Sequence, residues 1–419
     1  MPITRRFFLH NGALAIAGTA AIPGFLVRSV LAETAAALPG RRLVVIFQRG
    51  AVDGLNVVVP YREKNYYAMR PTIGIPQNQI VDLDGFFGLH PALAAFKPLY
   101  DQGHLAIVHA VGSPSMSRSH FDAQDYMESG TPDLKSTRDG WLNRALQAQD
   151  TAESACCREH HTAFRALALA PEVPLTLAGS IPAIALDNVN GFTVAGRGPA
   201  PSPAAEAFAA MYADTGDHIL HAAGDETFDA VKMLRSADPA QYQPANGAAY
   251  PNSEFGNSMR QIAQLLKANL GVEAAFTNVM GWDTHHAQGG VEGQLANRLR
   301  DFADSISAFW RDLGDSGENV TIVTMSEFGR TARENGTGGT DHGHANAMFL
   351  LGGPVKGGKV YGRWPGLADH QLNQGRDLAL TTDYRQVLGE VVTQTLGADN
   401  LDLVFPGAGL APNRFLRIV

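Results

Sequence analysis

Arg42-Leu43-Val44-Val45-Ile46-Phe47 runs directly into Gln48-Arg49-Gly50-Ala51-Val52-Asp53-Gly54-Leu55-Asn56. The first stretch is a short β-branched run bounded by polar residues. It reads as a buried strand, and the glycine-bearing stretch after it as the loop that leaves the strand. The same unit recurs. Leu105–Val111 (LAIVHAV) is a second strand, which runs into a serine-rich loop from Gly112 to His120 and a polar helical stretch from Phe121 to Met127. Val272–Val279 (VEAAFTNV) leads into Gly281-Trp282-Asp283-Thr284-His285-His286. Val320–Met325 (VTIVTM) ends in Ser326-Glu327-Phe328-Gly329-Arg330, and Ala347–Leu351 (AMFLL) is one more strand. Helices are expected over Ser258–Leu270 and Gly293–Leu313. Strands alternating with helices imply an α/β fold, a largely parallel sheet with helices on both faces. In such sheets the chemistry collects at the carboxyl ends of the strands.

The first 32 residues read differently. Thr4-Arg5-Arg6-Phe7-Phe8-Leu9 sets an arginine pair before two aromatics, an Ala-rich apolar run follows from Ala13 to Val27, and small residues close it at Val30-Leu31-Ala32. A charged start, a short apolar middle and a small-residue end mark 1–32 as a twin-arginine export signal. The alternative is a membrane anchor, but the run is short and rich in Gly and Ala for a span of roughly 20 apolar residues. The mature protein is therefore expected in the periplasm or secreted, with the twin-arginine export machinery as a partner and no stable membrane span. Residues 41–419 are expected to form one α/β domain. Within it, 132–248 reads as a cap or insert, because it holds irregular Pro/Ala segments such as Gly198–Ala204.

Composition narrows the function. The chain has 419 residues, 45% hydrophobic and 18% charged, with a formal net charge of -8, and nothing in it suggests the basic face that nucleic acid requires. The two cysteines, Cys156 and Cys157, are adjacent and bridge only with strain. With His160 and His161 they resemble a soft-metal site, but the plainer reading is a polar surface segment with two thiols.

Carboxylates and imidazoles gather at the strand exits. Asp53 lies in the first, Asp283 and His285 in a later one, and Glu327 directly follows a strand. Asp341-His342-Gly343-His344 lies in a glycine-rich loop. These ligand types suit Zn²⁺, Mn²⁺ or similar ions. Two such ions about 3.5–4 Å apart activate a nucleophile and stabilise the leaving oxygen of an ester. Singly, each piece has a plain reading: Asp53-Gly54 as a turn, Asp283-Thr284-His285 as a polar loop. Together, at successive strand ends, they point to a metal site. Ser119 falls near a helix start, where free N–H groups favour an anionic substrate and a developing alkoxide. It reads equally well as a helix N-cap. Ser115 and Ser117 are fallback nucleophiles. Arg118 and Arg330 are either bidentate holders of non-bridging oxygens or structural ion-pair partners.

These motifs carry a family resemblance. Arg49–Asn56, Leu89-His90-Pro91-Ala92-Leu93, Arg118-Ser119-His120-Phe121, Gly281–His285, Ser326–Thr331, Gly339–Gly343 and Thr382-Asp383-Tyr384-Arg385 resemble the DUF1501 family of exported bacterial proteins. That family looks like a branch of the alkaline phosphatase superfamily. The resemblance covers most of the mature chain. It implies a metal-dependent hydrolase of a phosphate or related ester, acting on a small-molecule or polymer substrate. The divalent cation would be Zn-like or Mn/Ca-like. By position, Asp53, Ser119, Asp283 with His285, and Asp341 with His342 match the superfamily's site residues. The chain also departs from that pattern. Asp283-Thr284-His285 is spaced more closely than the usual pair, and only His344 and His370 are available for the last histidine ligand. Neither Cys156-Cys157-Arg158 nor Ser113–Ser119 fits the formylglycine motif of sulfatases. The alternatives are a sulfuric-ester hydrolase without formylglycine and a non-catalytic exported binding or assembly protein.

Overall fold

The computed structural model describes residues 15–16, 40–152, 161–162, 164–189 and 241–419. The apolar runs become strands of one mixed sheet. In chain order these are β1 (Ala15–Ile16), β2 (Arg42–Gln48), β3 (Leu105–Gly112), β4 (Ala166–Leu169) and β5 (Ile184–Leu186). They continue with β6 (Ala274–Val279), β7 (Val320–Met325), β8 (Asn346–Gly352), β9 (Lys359–Tyr361) and β10 (Thr382–Asp383). Across the sheet the order is β1-β5-β4-β6-β2-β7-β8-β3-β9, with β10 also paired to β3.

β2 lies at the centre, parallel to β6 on one side and β7 on the other. Its side chains alternate between two helix layers, as the period of a strand requires. Val44 and Ile46 join the core that holds Met259, Ile262 and Leu266 of α3 (Glu254–Lys267) and Leu299, Phe302 and Ile306 of α4 (Gln294–Leu313). Leu43, Val45 and Phe47 join the core on the other face. That core holds Leu142 and Leu146 of α2 (Trp141–Ala152) and Val387, Leu388 and Val391 of α5 (Tyr384–Leu396). With both faces covered, the strand shows an unbroken apolar run rather than an alternating one.

β8 runs antiparallel to both its neighbours, β7 and β3. The chain leaves β7 at its carboxyl end, passes through the loop 326–345 and re-enters the sheet without a crossover helix. A connection that returns from the same edge gives an antiparallel pair. The loop holding Glu327, Arg330, Asp341 and His342 is thus pinned at both ends by buried strands.

The stretch 132–248 is, in its described parts, more than a cap. It supplies α2, β4 and β5, so two of its segments belong to the sheet itself. β4 and β5 read ALAL and IAL. Alanine lacks the β-branched or aromatic character that marks a strand, so these short runs carry little sequence signal. Cys156, Cys157 and His160 lie outside the described residues, as does the expected export signal over 1–32 apart from β1. No helix among the described residues is long and apolar enough to cross a membrane.

Candidate metal centre

Four strand exits converge at one edge of the sheet. The loop after β3 ends at Ser119, and α1 (His120–Ser129) starts with an imidazole. The loop after β6 brings Asp283 and His285, and the loop after β7 brings Glu327, Arg330, Asp341 and His342. Glycine makes the close approach possible. Gly50, after β2, has φ +115°, and a Cβ there would stand 2.7 Å from the backbone nitrogen of Asp283. A Cβ on Gly339 would stand 2.2 Å from the carbonyl oxygen of His285.

Three histidines present the same nitrogen to this centre. His120 donates from Nδ1 to Glu327 Oε1 at 2.8 Å. His342 donates from Nδ1 to the carbonyl oxygen of Arg118 at 2.9 Å. His285 donates from Nδ1 to Asp341 Oδ1 at 3.1 Å. Each partner is an acceptor, so each Nδ1 donates outwards and each ring turns its Nε2 towards the Asp283 carboxylate and the centre. The Nε2 of His342 stands 2.9 Å from that of His120 and 2.9 Å from that of His285. Asp283 completes the group. Its Oδ1 lies 3.0 Å from His285 Nε2 and 3.3 Å from His342 Nε2, and its Oδ2 lies 3.5 Å from His120 Nε2. The donor atoms of His120, Asp283 and His342 all lie within 4.8 Å of one another, a group that can hold a metal ion. Imidazole nitrogen with carboxylate oxygen is the donor set of Zn²⁺ and its borderline neighbours.

The surroundings fix the charges. The hydrogen bond to Glu327 pushes the pKa of His120 up against the effect of burial. Burial pushes that of His342 down. Burial would raise the carboxyl of Asp283, but the Arg330 guanidinium beside it holds it below the usual range. Glu327 is buried, which also favours the acid. Hydrogen bonds from His120, Gln124 and the Gly50 backbone keep its pKa low, so it stays a carboxylate. Asp341 is likewise lowered against burial by Asn335 and His285.

Among the residues expected to form the site, Asp283, His285, Asp341 and His342 come together, with Glu327 behind His120. Asp53 is elsewhere. Its fully buried carboxylate takes Arg70 Nη1 at 2.6 Å, Arg70 Nη2 at 2.9 Å and Gln288 Nε2 at 2.7 Å, so its acceptor sites face a guanidinium and an amide. Arg330 is engaged within the protein by Asp283 at 2.6 Å and by the carbonyls of Gly50, Ala51, Trp282 and Thr340. Arg118 pairs with Asp377 at 2.5 Å. Ser119 is the N-cap of α1, its Oγ accepting from Asp122 N at 3.5 Å. Ser115 donates to Asp133, and Ser117 accepts from Ser119 N. His344 is buried against the carbonyls of Ser113 and Ser115, and His370 sits in an exposed turn.

His120 is the site residue that sequence reasoning missed. Its signal was its place, since an imidazole at the first position of a helix that follows a strand exit stands at the same edge as the other ligands. Ser119 beside it drew the attention because a hydroxyl there suggests a nucleophile.

Among curated proteins, none matches the chain. Residues 40–400 match the family described as "Protein of unknown function (DUF1501)", and the chain belongs to that family.

Proposed function

We propose that the chain is a metal-dependent hydrolase of phosphate or related esters, exported by the twin-arginine route, with His120, Asp283 and His342 as its metal ligands. The observation that carries this reading is the pair of Nε2 atoms 2.9 Å apart on His120 and His342, both facing the Asp283 carboxylate, with each ring held from behind by an oxygen at Nδ1. A cation at this centre would be ligated by both nitrogens and by the Asp283 carboxylate, whose donor atoms all lie within 4.8 Å of one another. Glu327 and the Arg118 carbonyl then act as the oxygen partners that orient ligating imidazoles and raise their basicity. A bound divalent ion supplies Lewis acidity and positive charge to a phosphoryl or sulfuryl oxygen.

The remaining groups have distinct tasks in this reading. His285, held at Nδ1 by Asp341, accepts a proton at Nε2 from the attacking water, as a general base oriented by a carboxylate does. Arg330 fixes Asp283 and ties the loops after β2, β6 and β7 together. Ser119 caps α1. No base touches its hydroxyl among the described residues, so water is the attacking group.

Elemental analysis of the full chain purified without chelator tests the reading, followed by assays on 4-nitrophenyl phosphate, bis(4-nitrophenyl) phosphate and 4-nitrophenyl sulfate. The expected result is at least one equivalent of Zn or Mn and turnover of one of the three. Protein that holds no metal and shows no rise in Tm on adding Zn²⁺ or Mn²⁺ overturns it.

A further inference from the structure

His342 is gripped at two points by two arginines. The carbonyl oxygen of Arg118 accepts its Nδ1 proton, and Arg376 Nη2 donates to its carbonyl oxygen at 3.0 Å. Both guanidinium groups lie beside one carboxylate, Arg118 hydrogen-bonded to it and Arg376 only within ion-pair distance, and Asp377 Oδ1 has no hydrogen-bond partner among the described residues. Arg118 Nη2 lies 2.5 Å from Asp377 Oδ2, and Arg376 Nε lies 3.5 Å from Asp377 Oδ1. Asp377 is fully buried, and its other side-chain contact is a long hydrogen bond of 3.4 Å from Asn373. Among the described residues, the Nε of Arg118 has no hydrogen-bond partner, and its Nη2 otherwise reaches only Gln374 at 3.3 Å. Asp377 is therefore the main anchor of the Arg118 side chain. The backbone joins the same parts, with Arg330 bridged to His342 and Thr331 bridged to Asp377.

A buried carboxylate needs a charged partner, and this one has two. Neither arginine offers a metal-ligating atom, yet both touch the residue that does. We propose that Asp377 is a positioning residue for the metal centre: by anchoring Arg118 and Arg376 it fixes the ring of His342, with Nδ1 on the Arg118 carbonyl and Nε2 turned to the ion. The proposal rests on the reading of His120, Asp283 and His342 as metal ligands. Groups behind the ligands change metal affinity by about 10–100-fold when removed. The step from Asp377 through an arginine to His342 places it among them.

The test is Zn²⁺ affinity of the full chain, stripped with chelator and titrated against a competing indicator well below its Tm. Asp377→Asn and Arg376→Gln are each expected to weaken Zn²⁺ binding about tenfold or more. Asp377→Glu, which keeps the charge, should recover part of the loss. A residue that only supports the fold would lower the Tm of the metal-free protein and leave affinity unchanged. Arg376 is exposed, so its variant decides the matter should Asp377→Asn fail to fold. Wild-type affinity in the folded variants overturns the proposal and leaves the metal centre standing. A wild type that binds neither Zn²⁺ nor Mn²⁺ overturns the metal centre, and the proposal falls with it.

Discussion

Asp53 and Asp283 leave neighbouring parallel strands, β2 and β6, at the same edge of the sheet, and each meets an arginine. Their fates are opposite. Asp53 is buried, paired with Arg70 through both oxygens and bonded to Gln288. Arg70 is equally enclosed and also donates to Asn56 Oδ1 and to the carbonyls of Thr331 and Ala332. Asp283 meets Arg330 through Oδ1, keeps 44% of its side chain exposed and faces the Nε2 atoms of His120, His285 and His342. The first is a closed ion pair. The second is an open one, with lone pairs still to be satisfied. An aspartate at a strand end does not make a ligand; what else reaches its oxygens decides.

The comparison breaks first at Arg70. Arg70→Met would leave the Asp53 carboxylate buried without its counter-charge, and breaking such a pair costs about 3–5 kcal/mol. Urea denaturation of the metal-free protein should show a loss of that order, with Zn²⁺ affinity unchanged. If Asp53 were a ligand held back by Arg70, the same variant would bind metal more tightly. A loss of stability under about 1 kcal/mol, or a gain in affinity, would return Asp53 to the site.

The same contrast explains what the sequence could disclose. Long apolar runs mark β2, β3, β7 and β8 plainly, because a strand covered on both faces needs them. The exits are then fixed by counting residues, which is why Asp283, His285, Asp341 and His342 are legible as a group. Arg70 is not legible as the partner of Asp53. It stands 17 residues on, outside every motif, and only the packing of the loops brings it there. His120 hid for the opposite reason, lying inside a motif whose serine had the more familiar chemistry. The ALAL and IAL strands hid because alanine is as much at home in a helix as in a sheet.

A third imidazole environment sharpens the distinction. His161 has carboxylates at both nitrogens, Glu273 at 2.8 Å from Nδ1 and Asp150 at 3.4 Å from Nε2. Burial alone would lower its pKa, and Arg165 nearby pulls the same way. The bonds to Asp150 and Glu273 overcome both and push it up to about 9. The folded pKa thus lies above the unfolded value near 6.5. The stabilisation is complete below about pH 6.5 and is lost as the pH rises through about 9. Its size is on the order of 3 kcal/mol. His161→Gln should flatten the fall of Tm across that window and leave metal content unchanged. An identical pH profile in the variant would mean that this imidazole is neutral.

Ser119 is where the smallest change in stability is expected. Its Oγ accepts one hydrogen bond, from Asp122 N at 3.5 Å, the outer limit of such a contact. Loss of a well-formed serine cap costs about 1 kcal/mol, so Ser119→Ala should cost no more than that. Its effect on turnover separates two chemistries. A serine that attacks an ester must lose its proton to a base, and no base touches this hydroxyl among the described residues. In the proposed reading, water at the centre would have His285 Nε2 as its base, backed by Asp341. Turnover in Ser119→Ala should therefore stay within about threefold of wild type, a barrier change below about 1 kcal/mol. His285→Ala, with metal content checked, should reduce turnover by about 10²-fold or more, as removing a general base does. An inactive Ser119→Ala that keeps its metal would reverse the assignment. The serine would then be the nucleophile, with the start of α1 stabilising its alkoxide.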